Sequence, residues 1–202
     1  MLFRSSVVLG STTNAGTLVY VGAGETTDRL TMGGTTGGAT ITASGSGPLV
    51  ITSLSNSGAG AKTLTLFGQS QEMNTISALL ADNGGALTVT KGAGNNGWGS
   101  NSASWLLTGA NTFTGNFNLG SGTVFVGNSS ALGLGILYGN GYNATLSTYD
   151  RDIALANSQI QAGNGTLAVT GNYGVSFANA FKIVGGGLTV TTSDRKSTRL
   201  NS

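Results

Sequence analysis

The chain has no cysteine, no histidine and a single proline. Without cysteine there can be no disulfide framework, thiolate zinc site or c-type haem attachment. Without histidine, His-dependent catalytic triads and His metal sites are excluded too. Charge is also scarce: Asp, Glu, Lys and Arg make up 8% of the residues, against about 25% in an average globular chain. So few charges argue against solvated disorder. One proline and no Gly-every-third period argue against collagen. No apolar run approaches the roughly 18 residues of a membrane helix. Small residues fill the sequence instead, with Gly, Thr, Ser and Asn supplying 103 of 202 positions. That length allows one ordinary domain or a short stretch of repeats.

Period-2 alternation recurs from end to end, as in Thr17-Leu18-Val19-Tyr20-Val21, Thr63-Leu64-Thr65-Leu66-Phe67, Ala86-Leu87-Thr88-Val89-Thr90 and Thr166-Leu167-Ala168-Val169-Thr170. Every second side chain is apolar and the others are mostly Thr or Ser, the pattern of a strand with one dry and one wet face. Clusters such as Gly37-Gly38, Asp82-Asn83-Gly84-Gly85 and Gly94-Asn95-Asn96-Gly97 separate the strands where turns are cheap. The best helical candidate, Glu72 to Ala81, is short and contains strand-favouring Asn74-Thr75-Ile76. The chain is therefore expected to be all-β.

Regular strand spacing fits either an antiparallel β-sandwich or a β-solenoid. Uniform alternation, the absence of long crossovers and the small-residue content favour a β-solenoid of about seven to nine coils over residues 1–193. Loose internal echoes support a repeat. Asp28-Arg29 and Asp150-Arg151 each precede a strand, and Leu107-Thr108-Gly109-Ala110-Asn111 is echoed by Val169-Thr170-Gly171-Asn172.

Residues 194–202, Asp-Arg-Lys-Ser-Thr-Arg-Leu-Asn-Ser, resemble the translation of a common sequencing adapter and are expected to be a disordered non-native tail. Outside them, six basic residues balance six acidic ones, so the overall basicity says nothing about nucleic acid. The tail also implies a truncated gene fragment. The start MLFRSSVVLG lacks a signal-peptide core, so Met1 is expected to be an internal start.

Trp105-Leu106-Leu107-Thr108-Gly109-Ala110-Asn111-Thr112-Phe113-Thr114-Gly115, followed by Gly122-Thr123-Val124-Phe125-Val126-Gly127-Asn128 and Ser130-Ala131-Leu132-Gly133, resembles the autotransporter-associated β-strand repeat. Phe113 stands where the family usually has Tyr, and Asn116-Phe117-Asn118 replaces a Gly/Ala/Thr run. The specific match covers 105–133, and a looser likeness covers most of 10–193. The resemblance implies a large bacterial surface or secreted protein, with this segment in its extracellular passenger, and it implies that the solenoid is a right-handed parallel β-helix. It carries over no catalytic residue. Its motif residues are structural: Trp105, Leu107, Phe113, Val124 and Val126 facing the coil axis with Leu119, and Gly109, Gly115, Gly122 and Gly127 at corners. Asn111 and Asn118 would stack on neighbouring coils or cap turns.

The chemistry on offer is sparse. Asp150-Arg151-Asp152 is the one tight acidic cluster and reads as a turn with a local ion pair. Asp82-Asn83-Gly84-Gly85 lacks the repeat that stacks calcium ligands. Tyr138, Tyr142 and Tyr149 could form a sugar-stacking patch, with packing as the plainer role. Asn128, Asn143 and Asn164 head sequons that are incidental in a bacterial protein. No catalytic, metal or cofactor residue is assigned and no cofactor is expected. The expected role is a non-enzymatic stalk or spacer at the cell surface. A glycan-binding adhesin is the first alternative, and a polysaccharide-degrading β-helix enzyme the second, requiring converging carboxylates. Expected partners are other segments of the same long chain, with host or abiotic surfaces or glycans for the adhesin reading. Neither nucleic acid nor direct membrane insertion is expected.

Overall fold

A computed structural model describes residues 5–92, 101–139, 144–163, 166–185 and 187–190. The 194–202 tail, Tyr142 and the sequons at Asn143 and Asn164 lie outside those residues.

The strands wind into a parallel β-solenoid. Sheet A stacks Gly16–Tyr20, Ala39–Ala43, Lys62–Gly68, Leu87–Lys91, Phe117–Leu119, Ile136–Gly139, Gln159–Ala162 and Ala180–Ile183, each paired with the next. Sheet B stacks Ala23–Thr27, Gly47–Ile51, Met73–Ile76, Ser104–Leu107, Gly122–Val126, Ala144–Thr148, Thr166–Thr170 and Gly187–Val190 in the same way. A third face is intermittent, with Val7–Leu9, Leu30–Met32 and Leu54–Asn56 at one end and Ile153–Leu155 with Val175–Phe177 near the other. All ladders between these strands are parallel. No helix occurs among the described residues, and Glu72 to Ala81 contributes the strand Met73–Ile76 instead. Neighbouring hairpins of a sandwich would require antiparallel strand pairs, so the sandwich alternative is replaced by the solenoid.

The fold follows from the alternation. Parallel strands stacked in register put one side chain per coil into each column, so a column is uniformly dry or wet. Leu64, Val89, Phe117, Leu137 and Ile160 form one inner column on sheet A. Trp105, Val124, Leu146 and Val169 form another on sheet B. All nine are buried, and fully burying a side chain of this kind contributes about 1.5–3 kcal/mol. Each coil shelters only its neighbours, so stability accumulates along the axis.

Coil length is less regular than strand register. Ser104 pairs with Thr123, 19 residues on, whereas Met73 pairs with Ser104, 31 residues on. The connections between strands vary in length while the ladder stays intact. This is why only some of the sequence echoes mark equivalent places. The Asp28-Arg29 and Asp150-Arg151 pairs do occupy the same corner, between sheet B and the third face. The second echo does not. Val169 shares its column with Trp105, not Leu107, so the two Thr-Gly segments are two residues out of register.

Candidate functional site

The polar features fall into three groups: exposed corners, polar groups inside the coil, and the wet face of sheet A.

The corner after sheet B continues the ladder. Thr52, Ser77, Thr108, Gly127 and Tyr149 each donate a backbone N–H to the coil before, at Thr27, Ile51, Ile76, Leu107 and Val126. The charged pairs decorating this corner are local. Arg29 Nε donates to Asp28 Oδ1 at 2.9 Å. Arg151 donates from Nε and from a terminal guanidinium nitrogen to the two oxygens of Asp150, each at 2.8 Å. That fork holds the Asp150 carboxyl below its ordinary pKa. Asp152 Oδ1 accepts the N–H of Gly174 on the next coil at 2.8 Å. Among the described residues no three Asp or Glu gather as a metal-binding group.

Inside the coil, polar side chains act as cross-coil ties. Asn74 sits in the inner column below Trp105. Its Oδ1 accepts from Leu49 N at 3.0 Å, and its Nδ2 donates to Ser104 O at 3.1 Å, so one amide links three coils. Asn111 does the same where the third face has no strand, accepting from Leu80 N and donating to Ala131 O. Asn118 instead points outward and donates to Thr90 Oγ1.

Two lysines have similar inner-facing positions. Lys91 is fully buried and shares a column with Leu66 and Leu119. Its ammonium donates to Ser121 O at 3.0 Å and Asn101 O at 3.2 Å. Burial lowers its pKa to about 8. Lys62 donates to Gly34 O, Asn56 Oδ1 and Gly58 O, and burial also lowers its pKa.

Asp82 ties corners together. It accepts from Leu87 N at 2.8 Å, from Thr114 N at 3.1 Å and from Thr114 Oγ1 at 2.6 Å. Partial desolvation raises its pKa, but these hydrogen bonds outweigh that and leave it lowered. A lowered carboxylate contributes stability above its unfolded pKa and loses it as pH falls through the folded value. Asp82→Ala is therefore expected to cost about 1–3 kcal/mol at pH 7. In urea titrations the gap between variant and parent should begin to narrow below about pH 4 and go on narrowing as pH falls further.

The motif residues are placed as follows. Trp105, Leu107, Phe113, Leu119, Val124 and Val126 are buried. Trp105 Nε1 donates to Phe67 O at 3.3 Å. Gly109 and Gly127 follow strands of sheet B. Gly115 precedes a strand of sheet A, where a Cβ would lie 2.2 Å from Leu87 O. Gly122 has φ +71°, and a Cβ there would lie 2.7 Å from Lys91 Nζ. The two described tyrosines of the expected patch lie apart. Tyr138 is on the wet face of sheet A, whereas Tyr149 follows sheet B at the Asp150 corner. A different pair, Tyr149 and Tyr173, is exposed on the same corner of adjacent coils.

The wet face of sheet A carries an ordered column: Thr17, Thr40, Thr65, Thr90, Asn118, Tyr138, Gln161 and Lys182 lie in register across eight coils. Beside it, Thr63 and Thr88 are also in register. A trough of about 470 Å³ crosses four coils here, lined by Thr, Ala and Gly together with Lys62.

Fold and geometry thus define a β-solenoid in which buried amides and lysines tie coils to one another. In sequence the chain is similar to the "Adhesin BmaC autotransporter" of Brucella suis biovar 1 (strain 1330), 35% identical over 135 residues. That match takes in 64% of this chain, while the chain spans about 4% of the relative's length. No family model matches the chain, and no solved structure matches it. Solenoid and similarity together support an autotransporter-related passenger.

Proposed function

We propose that this chain is a non-catalytic section of the extracellular passenger of a bacterial autotransporter-like surface protein, built on a degenerate form of the autotransporter-associated β-strand repeat. Its work is mechanical, holding other parts of a long chain away from the cell. The observation that carries this reading is the unbroken parallel register of eight strands in each of two sheets. A stack tied by backbone ladders and buried amides is stiff along its axis and presents few exposed strand edges to proteases. Three of the six described carboxylates support a structural role. Asp82 is held by Thr114 and Leu87, Asp150 by Arg151, and Asp152 by Gly174. The adhesin alternative draws on the name of the relative and on the exposed Tyr149 and Tyr173.

The test is to fuse the chain between a signal peptide and an autotransporter barrel in a Gram-negative host. The reading expects an epitope beyond the solenoid to reach the surface while the solenoid resists protease on intact cells. Rapid digestion of the solenoid, or release of reducing ends from pectin or cellulose by the purified chain, would contradict it.

A further inference from the structure

The trough on sheet A is a feature that a pure spacer does not need. Its hydroxyls are spaced by the fold itself, with Thr40 and Thr65 on successive coils and Thr63 and Thr88 on successive coils beside them. Successive strands of a sheet are about 4.7–4.9 Å apart, close to the length of one hexopyranose residue in an extended chain. A polymer lying along the solenoid axis would therefore meet one hydroxyl column position per sugar.

The floor and walls suit such a polymer. Ala61 and Ala86 are exposed and small, leaving room for a ring. The wall at Thr36 is fixed in advance, because Thr35 N, Thr36 N and Gly37 N all donate to Thr12 O on the coil before. A preformed surface loses little ordering entropy on binding. The trough also offers no free charge. Lys62, the charged residue in its lining, is 5% exposed, and its ammonium is held by Gly34 O, Gly58 O and Asn56 Oδ1. An acidic polymer finds no cation there, and a basic one no carboxylate.

We infer that the Thr40–Thr63–Thr65–Thr88 trough on sheet A is a binding site for a neutral, extended β-linked glucan lying parallel to the solenoid axis. This goes beyond the spacer role and does not depend on export.

The test is affinity electrophoresis of the purified chain in native gels containing hydroxyethyl cellulose, with alginate gels as the charged comparison. Retardation by the glucan and not by alginate is expected. Ala86→Trp, which fills the trough from an exposed position, should weaken it by about tenfold or more. Thr65→Val with Thr88→Val keeps the β-branched shape, removes two trough hydroxyls, and should weaken it by a similar factor. Circular dichroism melts of each variant should match the parent. Tyr149→Ala should bind like the parent. Absence of retardation in the parent, stronger retardation by alginate, or full binding by folded trough variants would each overturn the inference. Loss on Tyr149→Ala alone would place glycan contact at the corner and overturn it too.

Discussion

Replacing Trp105 with alanine should destabilise the chain by about 3–5 kcal/mol, the cost typical of truncating a buried tryptophan. The indole is fully buried, and it sits in the inner column between Asn74 and Val124. Its removal opens a cavity that the stacked backbone cannot close, because each coil is fixed to its neighbours by a parallel ladder. It also leaves Phe67 O without the Trp105 Nε1 donor. In a solenoid the loss falls on two interfaces, those with the coils before and after. The variant should therefore lose cooperativity as well as midpoint. Urea unfolding followed by far-ultraviolet circular dichroism and by tyrosine fluorescence should give coincident transitions in the parent and separated ones in Trp105→Ala. Trp105→Phe, which keeps a ring in the column, should recover most of the loss.

The second large effect is a dependence on pH carried by Lys91. Its pKa is lowered from about 10.5 to about 8 by burial. Between those values the unfolded chain holds a proton that the folded chain has released. Stability contributed by this group must then rise with pH across the window, by on the order of 3 kcal/mol at its upper end. Below about pH 8 the whole cost of burying the ammonium is present, offset by its bonds to Asn101 O and Ser121 O. Lys91→Met keeps the volume and removes the charge, while leaving those two carbonyls without this donor. It should be close to neutral at pH 7, where the losses oppose each other. At pH 10 it should be clearly less stable than the parent. Urea midpoints of both proteins at pH 7, 8, 9 and 10 check this. A parent and a Met variant with parallel profiles would contradict the assignment.

Much of the fold is legible in the sequence, because a half-buried parallel strand writes its two faces as odd and even positions. Leu64, Leu66, Leu87 and Val89 are inner-facing as their alternation requires. The same parity carried information that hydropathy alone conceals. Lys91 follows Val89 by two, Lys62 precedes Leu64 by two, and Asn74 precedes Ile76 by two, so all three belong to the dry face. Their polarity suggests solvent, yet their register forces them inward, where carbonyls of adjacent coils receive them. The short third-face strands Leu30–Met32 and Leu54–Asn56 were less legible. Three residues are too few for periodicity, and they are strands because the neighbouring coil supplies the ladder. The misread echo at Val169 has a similar origin, since corners vary in length while strand register does not. The trough depends on which Thr and Ala residues fall in register across coils, and that is set by coil lengths a degenerate repeat does not announce. The Tyr149 and Tyr173 pairing depends on those lengths in the same way.

The central claim is that successive coils stack in parallel register along one axis. Spin labels at Thr17 and Gln161, on outward positions of sheet A six coil steps apart, test it by pulsed electron resonance. Six steps at about 4.7–4.9 Å give a narrow distance distribution near 29 Å. Moving the first label to Thr40 should shorten it by a single step, to about 24 Å. A broad distribution, or a shift that does not follow the coil step, would contradict the solenoid.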